Sequence, residues 1–181
     1  ALPDIKKGEN TLLVTLPFGE RAGLENMFIL GNFGVSVVGD TSKITALPEK
    51  LYFGDITRQG LPFYGGKLTY SFTCNTDTGN LSICTSYYKG AVVNVSCDGE
   101  EKGSIIYPPY TLEMDSLSKG EHSIDLTLSL HRYNTFGPLH LVDEHRSWHG
   151  PDAWRTTEED WSYEYIFRKT GILKAPEIYT K

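Results

Sequence analysis

The chain has 181 residues, 39% hydrophobic and 22% charged, with mean hydropathy −0.31 and a formal net charge of −6. At ~150 residues per domain this describes one or two folded domains, and it excludes a disordered chain. The acidic balance argues against a nucleic-acid partner, whose affinity rests on Lys and Arg neutralising phosphates. No run approaches the ~18 apolar residues of a membrane helix, and the N-terminus lacks the basic-then-apolar layout of a signal peptide.

In chain order, the first element is a Lys7-Gly8-Glu9 turn feeding a strand in which Leu12, Val14 and Leu16 share one face. Gly31-Asn32-Phe33-Gly34 reads as a hairpin turn, because its glycines lack the spacing and the following Lys-Ser or Lys-Thr of a phosphate loop. Residues 67–74, 80–88, 91–97, 104–107 and 122–133 are runs rich in β-branched and aromatic residues. Turn signals at Asn75 to Gly79, Lys89-Gly90, Asp98-Gly99, Pro108-Pro109 and Lys119-Gly120 separate them. Ile124, Leu126, Leu128 and Leu130 alternate with Asp125, Thr127 and Ser129, as one buried and one wet face require. Glu158-Glu159-Asp160 suggests a short helical turn, followed by a strand over 162–168. With 11 Tyr, 8 Phe, 3 Trp and 18 Gly, the composition favours pleated strands and tight turns, hence an all-β fold.

Cys74, Cys84 and Cys97 are odd in number and spaced unlike a disulfide framework or a Cys-x-x-Cys metal site, so they read as buried thiols. Free thiols lean towards a cytoplasmic compartment, although no feature of the sequence fixes one. The chain begins at Ala1 rather than Met, as a processed or excised piece would.

The run Lys7-Gly-Glu-Asn-Thr-Leu-Leu-Val-Thr-Leu16 matches Lys119-Gly-Glu-His-Ser-Ile-Asp-Leu-Thr-Leu128 at a fixed offset of 112, with five of ten positions identical. The inward series Leu12, Val14, Leu16 falls on Ile124, Leu126, Leu128. Generic turn-then-strand chemistry is the alternative explanation. As a true repeat, the first copy is the last strand of a preceding similar domain. The expected division is an N-terminal β segment with hairpins over 1–59 and a β-sandwich over 60–181.

Val93 and Val95 before the Asp98-Gly99 turn, the Pro109-Tyr110 segment and Gly120-Glu121 together form a pattern. It resembles the jelly-roll, galactose-binding-like sugar-binding domains of glycoside hydrolase family 2 and rhamnosidase-like large bacterial proteins. His122 stands where those domains more often have Asn. The resemblance spans residues 60–168. It implies a jelly-roll β-sandwich, with catalysis residing in a separate barrel that this chain is too short to contain.

His131, His140, His145 and His149 cluster in sequence, the last two at i, i+4, but without the His-Glu-x-x-His order of a zinc site, so surface and loop histidines are the default. Asp152, Glu158, Glu159, Asp160 and Glu164 are dense acids, yet glycoside hydrolysis needs two carboxyls at ~5–9 Å across a cleft, which sequence alone does not establish. Trp148 and Trp154 alternate with His149, Asp152 and Arg155 next to the turn dipeptide Gly150-Pro151. Aromatic faces beside hydrogen-bonding groups are a means of sugar recognition. Trp161, Tyr163 and Tyr165 read instead as core residues of a strand.

The expected role is a non-catalytic accessory module, carbohydrate-binding or domain-packing, of a multidomain glycoside hydrolase-like protein. Its sugar contacts would be Trp148, His149, Asp152, Trp154 and Arg155, with no catalytic residue, cofactor or metal. Its partners would be a weakly bound carbohydrate and the other domains of the parent protein. Two alternatives stand beside it: a small glycan-active hydrolase using residues between His140 and Glu164, and a structural spacer.

Overall fold

The computed structural model describes residues 6–17, 19, 27–142 and 159–180. The contacts within the chain group into two units, residues 1–31 and 32–181.

In the first unit, described residues 6–17 form no strand ladder, and every one of them is exposed. Asn10 closes a local turn by accepting from the Lys6 N–H and donating to the Lys6 and Gly8 carbonyls. Leu12 and Leu13 remain 61% and 86% exposed.

The second unit is all-β. It opens with an antiparallel hairpin of β1 (Gly34–Val38) and β2 (Thr41–Thr45), whose turn falls at Gly39-Asp40. That turn lies beyond the expected one, because Gly34 already pairs with Thr45. A 3-10 turn, Ile56–Arg58, follows, capped by Asp55. The strands then run β3 (Lys67–Thr76), β4 (Leu81–Cys84), β5 (Tyr88–Lys89), β6 (Val92–Cys97), β7 (Glu100–Ile105), β8 (Thr111–Met114) and β9 (Gly120–Ser129). A one-turn helix, α1 (Tyr133–Phe136), leads towards β10 (Gly171–Ile172) and β11 (Glu177–Thr180). None of the helices described is long and apolar enough to cross a membrane.

Two sheets form the sandwich. One has the order β3-β9-β6-β7 and the other β11-β4-β8, while β10-β5 makes a small ribbon. The burial of β9 alternates as its sequence demands: Ile124, Leu126 and Leu128 are fully buried, with Asp125, Thr127 and Ser129 on the other face. Across the register Leu126 faces Tyr70 of β3 and Val95 of β6, and Ile124 faces Phe72 and Cys97. Leu81 and Ile83 of β4 with Met114 of β8 meet this layer from the opposite sheet. The wet face of the larger sheet is laced by cross-strand pairs, Thr69 to Thr127 at 2.9 Å and Ser104 to Asn94 at 2.8 Å.

A bulge between Val95 and Ser96 interrupts the β6–β7 ladder beside Gly103, whose φ of +148° no L side chain adopts easily. A Cβ at Gly103 would also stand 3.0 Å from Leu112 of β8.

The strand expected after Lys7-Gly8-Glu9 is absent from residues 6–17, and two further readings differ from the structure. Residues 162–168 bend at Tyr163-Glu164 and enter no ladder; among the described residues only an isolated Leu141–Trp161 bridge forms there. Their backbone bonds go to α1, the loop after it and the β1–β2 turn, so the C-terminal strand of the fold is β11, paired with β4. Tyr163, expected in the core, is 80% exposed, whereas Trp161 and Tyr165 are half-buried. Of the three thiols Cys97 is buried and Cys74 and Cys84 are only half-buried, because Cys84 ends β4 and Cys74 lies on an outer strand of its sheet.

Because Leu126 is fully buried between two paired strands, Leu126→Ala leaves a cavity and is expected to cost about 3 kcal/mol. At 2–4 °C per kcal/mol for a chain of this size, Tm falls by roughly 6–12 °C, while Leu13→Ala leaves it unchanged. Equal melting of the two variants by calorimetry contradicts this core assignment.

Candidate functional site

Two places in the second unit gather polar chemistry. The first is at one end of the larger sheet. His122 continues the inward series of β9 two residues before Ile124, and its side chain is 3% exposed. Its Nδ1 lies 2.6 Å from Asp98 Oδ2 and its Nε2 lies 2.8 Å from the Ser118 carbonyl. Both partners are acceptors, so only the doubly protonated imidazolium satisfies both nitrogens. Asp98 sits at φ +51° in the β6–β7 turn and its other oxygen accepts from the Ser123 N–H at 2.9 Å. In return the Asp98 N–H donates to the Ser123 carbonyl at 2.8 Å.

These bonds hold the Asp98 carboxyl below its ordinary 3.8, chiefly through His122, and lift His122 above 6.5, chiefly through Asp98. Cys97 Sγ joins Asp98 and His122 within 4.8 Å, the spacing of a metal site. The donor chemistry fits an ion pair better than a metal. Both imidazole nitrogens already have acceptors, and burial, with the neighbouring Asp98 charge, pushes the Cys97 thiol up, away from the thiolate a metal needs. The pair locks the β6–β7 turn onto the start of β9. Extending the β9 alternation back by one step is the sequence signal that would have found it.

The second place is a groove of about 560 Å³ lined by β1 (Val35, Ser36, Val37), Thr45, the 3-10 turn (Asp55, Thr57, Arg58) and Gly60, and by Tyr165, Phe167 and Lys169. The last three alternate along the extended segment after Trp161, so one side of that segment faces the groove. Its other side is fixed by Asn134, which is buried in α1. Asn134 Nδ2 donates to the Arg168 carbonyl at 2.7 Å and its Oδ1 accepts from the Arg168 N–H at 3.0 Å. The Ile166 N–H donates to the Leu139 carbonyl at 2.7 Å. The walls are joined by Val35 N–H to Gly60 O at 2.8 Å, Tyr165 N–H to Gly39 O at 3.2 Å and Thr170 N–H to Asp55 Oδ1 at 3.1 Å. Asp55 Oδ1 also accepts from the Thr57 N–H and hydroxyl, so this carboxylate is a structural cap.

The aromatic wall continues away from the groove. Tyr165 stacks on Phe167, with ring centres 5.6 Å apart, and meets His140 at 4.7 Å; His140 in turn stacks on Trp161 at 4.6 Å. His140 Nδ1 lies 2.9 Å from the Ser162 carbonyl, which gives this histidine a packing role. His131 Nε2 approaches the Thr170 hydroxyl at 3.3 Å, and burial holds its pKa below the usual value. Glu164 is exposed beside Gly39 of the hairpin turn. His145, Trp148, His149, Asp152, Trp154, Arg155 and Glu158 lie outside the described residues. The chain leaves for that segment and returns through a stem, in which Val142 N–H meets Asp160 O at 2.9 Å and Ser162 N–H meets His140 O at 2.8 Å.

The signs of the two shifts fix a pH optimum. His122, raised, adds stability that is full below about 6.5 and is lost as pH rises through its folded value. Asp98, lowered, adds stability that is present above about 3.8 and is lost as pH falls through its folded value. Thermal melting is therefore expected to peak between about pH 4 and 6.5, with the His122 ring titrating above 6.5 by NMR. Asp98→Asn should flatten both limbs of the melting profile and bring the His122 midpoint down; an unchanged midpoint contradicts the pairing.

No family model matches the chain, and no curated protein sequence matches it. Solved structures do resemble it in part. A rhamnosidase from Novosphingobium sp. PP1Y aligns with a TM-score of 0.48 at 17% identity, over 81% of this chain and 14% of that one. A GH2 β-galacturonidase from Eisenbergiella tayi, solved with glycerol and with galacturonate, aligns with a TM-score of 0.38 at 18% and 20% identity. Both alignments cover 65% of this chain and 21% of that one. The chain is thus similar to a part of larger glycoside hydrolases, spanning between a seventh and about a fifth of their length.

Proposed function

We propose that the chain is a non-catalytic accessory module of a multidomain glycoside hydrolase-like protein, with jelly-roll connectivity of the galactose-binding-like kind, packing against neighbouring domains and contacting carbohydrate. The observation that carries the modular reading is the N-terminal copy of the repeat. Its second copy, β9, is paired along both edges and buries Ile124, Leu126 and Leu128 completely, while the matching Leu12, Val14 and Leu16 are exposed and form no ladder. Burying three such side chains is worth ~1.5–3 kcal/mol each, a gain that a neighbouring β-domain would supply. Exposed apolar runs of this kind mark interaction surfaces.

The non-catalytic part is supported by what the polar groups already do. Among the described residues His140 packs in an aromatic stack, His122 is held as an imidazolium and Asp55 caps a turn. Asp55 is the one carboxylate among the described residues that line the groove, where hydrolysis of a glycoside asks for a facing pair. For the sugar contact, Trp148, His149, Asp152, Trp154 and Arg155 remain the proposed surface, emitted from the stem that ends in Trp161 and His140.

Three measurements test this reading. A panel of aryl glycosides, rhamnosides included, should show no turnover; turnover that survives purification and disappears in Glu164→Gln establishes the hydrolase alternative instead. Deleting residues 1–31 should lower binding of an apolar fluorescent dye and leave Tm within about 2 °C, since none of the described residues of that unit lies in a strand. A collapse of Tm would mean that the segment completes this fold rather than a neighbouring one. Trp148→Ala and Trp154→Ala should abolish retention on immobilised glycans with unchanged melting, whereas loss of the fold makes both tryptophans core residues.

A further inference from the structure

The groove between β1, the Asp55 to Gly60 turn and the Tyr165 to Lys169 segment differs from the surface proposed for the tryptophan segment, and its charges are unusual for so acidic a chain. Arg58 and Lys169 both line it and are exposed, and among the described residues neither forms an ion pair or a side-chain hydrogen bond. Asp55, the only acid among the described lining residues, is engaged by three donors on one oxygen. One carboxylate against two cations leaves the groove with a single net positive charge in a chain of net charge −6. That charge matches a monoanion better than a phosphate dianion, which the Asp55 carboxylate would repel.

The remaining lining describes the body that carries the anion. Tyr165 and Phe167 present stacked aromatic surface, Val35 and Val37 add apolar contact, and the hydroxyls of Ser36, Thr45 and Thr57 lie among them. Ring C–H groups pack on aromatic and aliphatic side chains, and ring hydroxyls exchange hydrogen bonds with Ser and Thr. The volume of about 560 Å³ falls within the ~300–1,000 Å³ of small-ligand sites. Backbone bonds tie both walls together, so little ordering accompanies binding.

We propose that this groove binds a carboxylate-bearing saccharide, with Arg58 and Lys169 gripping the carboxylate and Tyr165 and Phe167 supporting the sugar ring. The guanidinium fork of Arg58 suits a planar carboxylate, and Lys169 contributes a point charge. The proposal rests on the accessory, carbohydrate-contacting reading and gives it a ligand class.

The test is calorimetric titration of the full chain with D-glucuronate, D-glucose, acetate and inorganic phosphate as probes. Glucuronate should bind with Kd of about 1 mM, a single ring in an open groove, and the other three at least roughly tenfold more weakly. Arg58→Met and Lys169→Met, both at exposed positions, should each weaken glucuronate binding about tenfold with Tm unchanged, and added salt should weaken it too. If one variant fails to fold, the other carries the test. Equal affinity for glucose or for phosphate, or no effect of either substitution, overturns the proposal. Glucuronate binding lost in Trp148→Ala but kept in Arg58→Met places the sugar elsewhere and overturns the groove alone, leaving the accessory reading intact. Aryl glycoside turnover overturns the accessory reading whatever the groove binds.

Discussion

Strand β9 is hydrogen-bonded along both edges, to β3 over ten register pairs and to β6 over six, and the rest of the sandwich is arranged around that double commitment. A strand paired on both sides has no freedom of register, because a slip of one residue would turn Ile124, Leu126 and Leu128 outward and bury Asp125 and Thr127. The three aliphatics therefore fix which faces of β3 and β6 point inward, and so place Tyr70, Val93 and Val95 against Leu81 and Ile83 of the second sheet. The imidazolium of His122 ends the same inward series. Its bonds to Asp98 and Ser118 supply at the sheet margin what aliphatic packing supplies at its centre, and they bind the polar inward position of β9 to a turn rather than leave it unpaired.

The proposed groove is built from residues outside the two sandwich sheets. Tyr70 links the two levels: its hydroxyl accepts from the Ile172 N–H at 3.3 Å and its ring stacks on Phe53 at 4.9 Å, so the core reaches out to the 50s turn and to β10. From there Asp55 accepts from Thr170, and Asn134 clasps Arg168, whose guanidinium rests 3.6 Å over the Tyr133 ring. A segment with no ladder of its own is thereby tied to α1 and to the 50s turn, and it presents Tyr165, Phe167 and Lys169 to the groove in alternation. Rigid loops on a β framework are where binding surfaces are commonly placed, because loop sequence can vary without disturbing the core.

How much of this was legible in the sequence follows from which interactions are local. The period-two pattern gave β9, β6 and β3 and hence the all-β class, since alternation reports burial directly. The Asp98-Gly99 turn was legible for the same reason: its φ values of +51° and +81° favour Asp and Gly. The groove was not. It depends on Asn134 meeting Arg168 and on Asp55 meeting Thr170, contacts 34 and 115 residues apart that leave no periodic trace. Residues 162–168 carry a strand-like alternation, yet their backbone groups are satisfied by a side-chain amide and single loop carbonyls, so pattern alone mistook an extended wall for a sheet member. Tyr163 shows the cost of that reading, lying exposed where a strand would have buried it.

The same distinction bears on what the molecule does with its charges. Ion pairs that serve the fold are local or paired across neighbouring strands, as with Lys102 and Glu100 at 2.8 Å and His122 and Asp98 at 2.6 Å. Exposed pairs of the first kind contribute little, and their removal would be tolerated. Among the described residues Arg58 and Lys169 form no such pair, although the chain carries 23 acidic residues against 17 basic ones and Asp55 lines the same groove. A cation left without a partner on a preorganised aromatic wall keeps its full field for a ligand, and the neighbouring Asp55, tied down by three donors, prevents that field from growing to suit a more highly charged one. The fold thus sets the sign and the size of the charge its groove can accept before any ligand arrives.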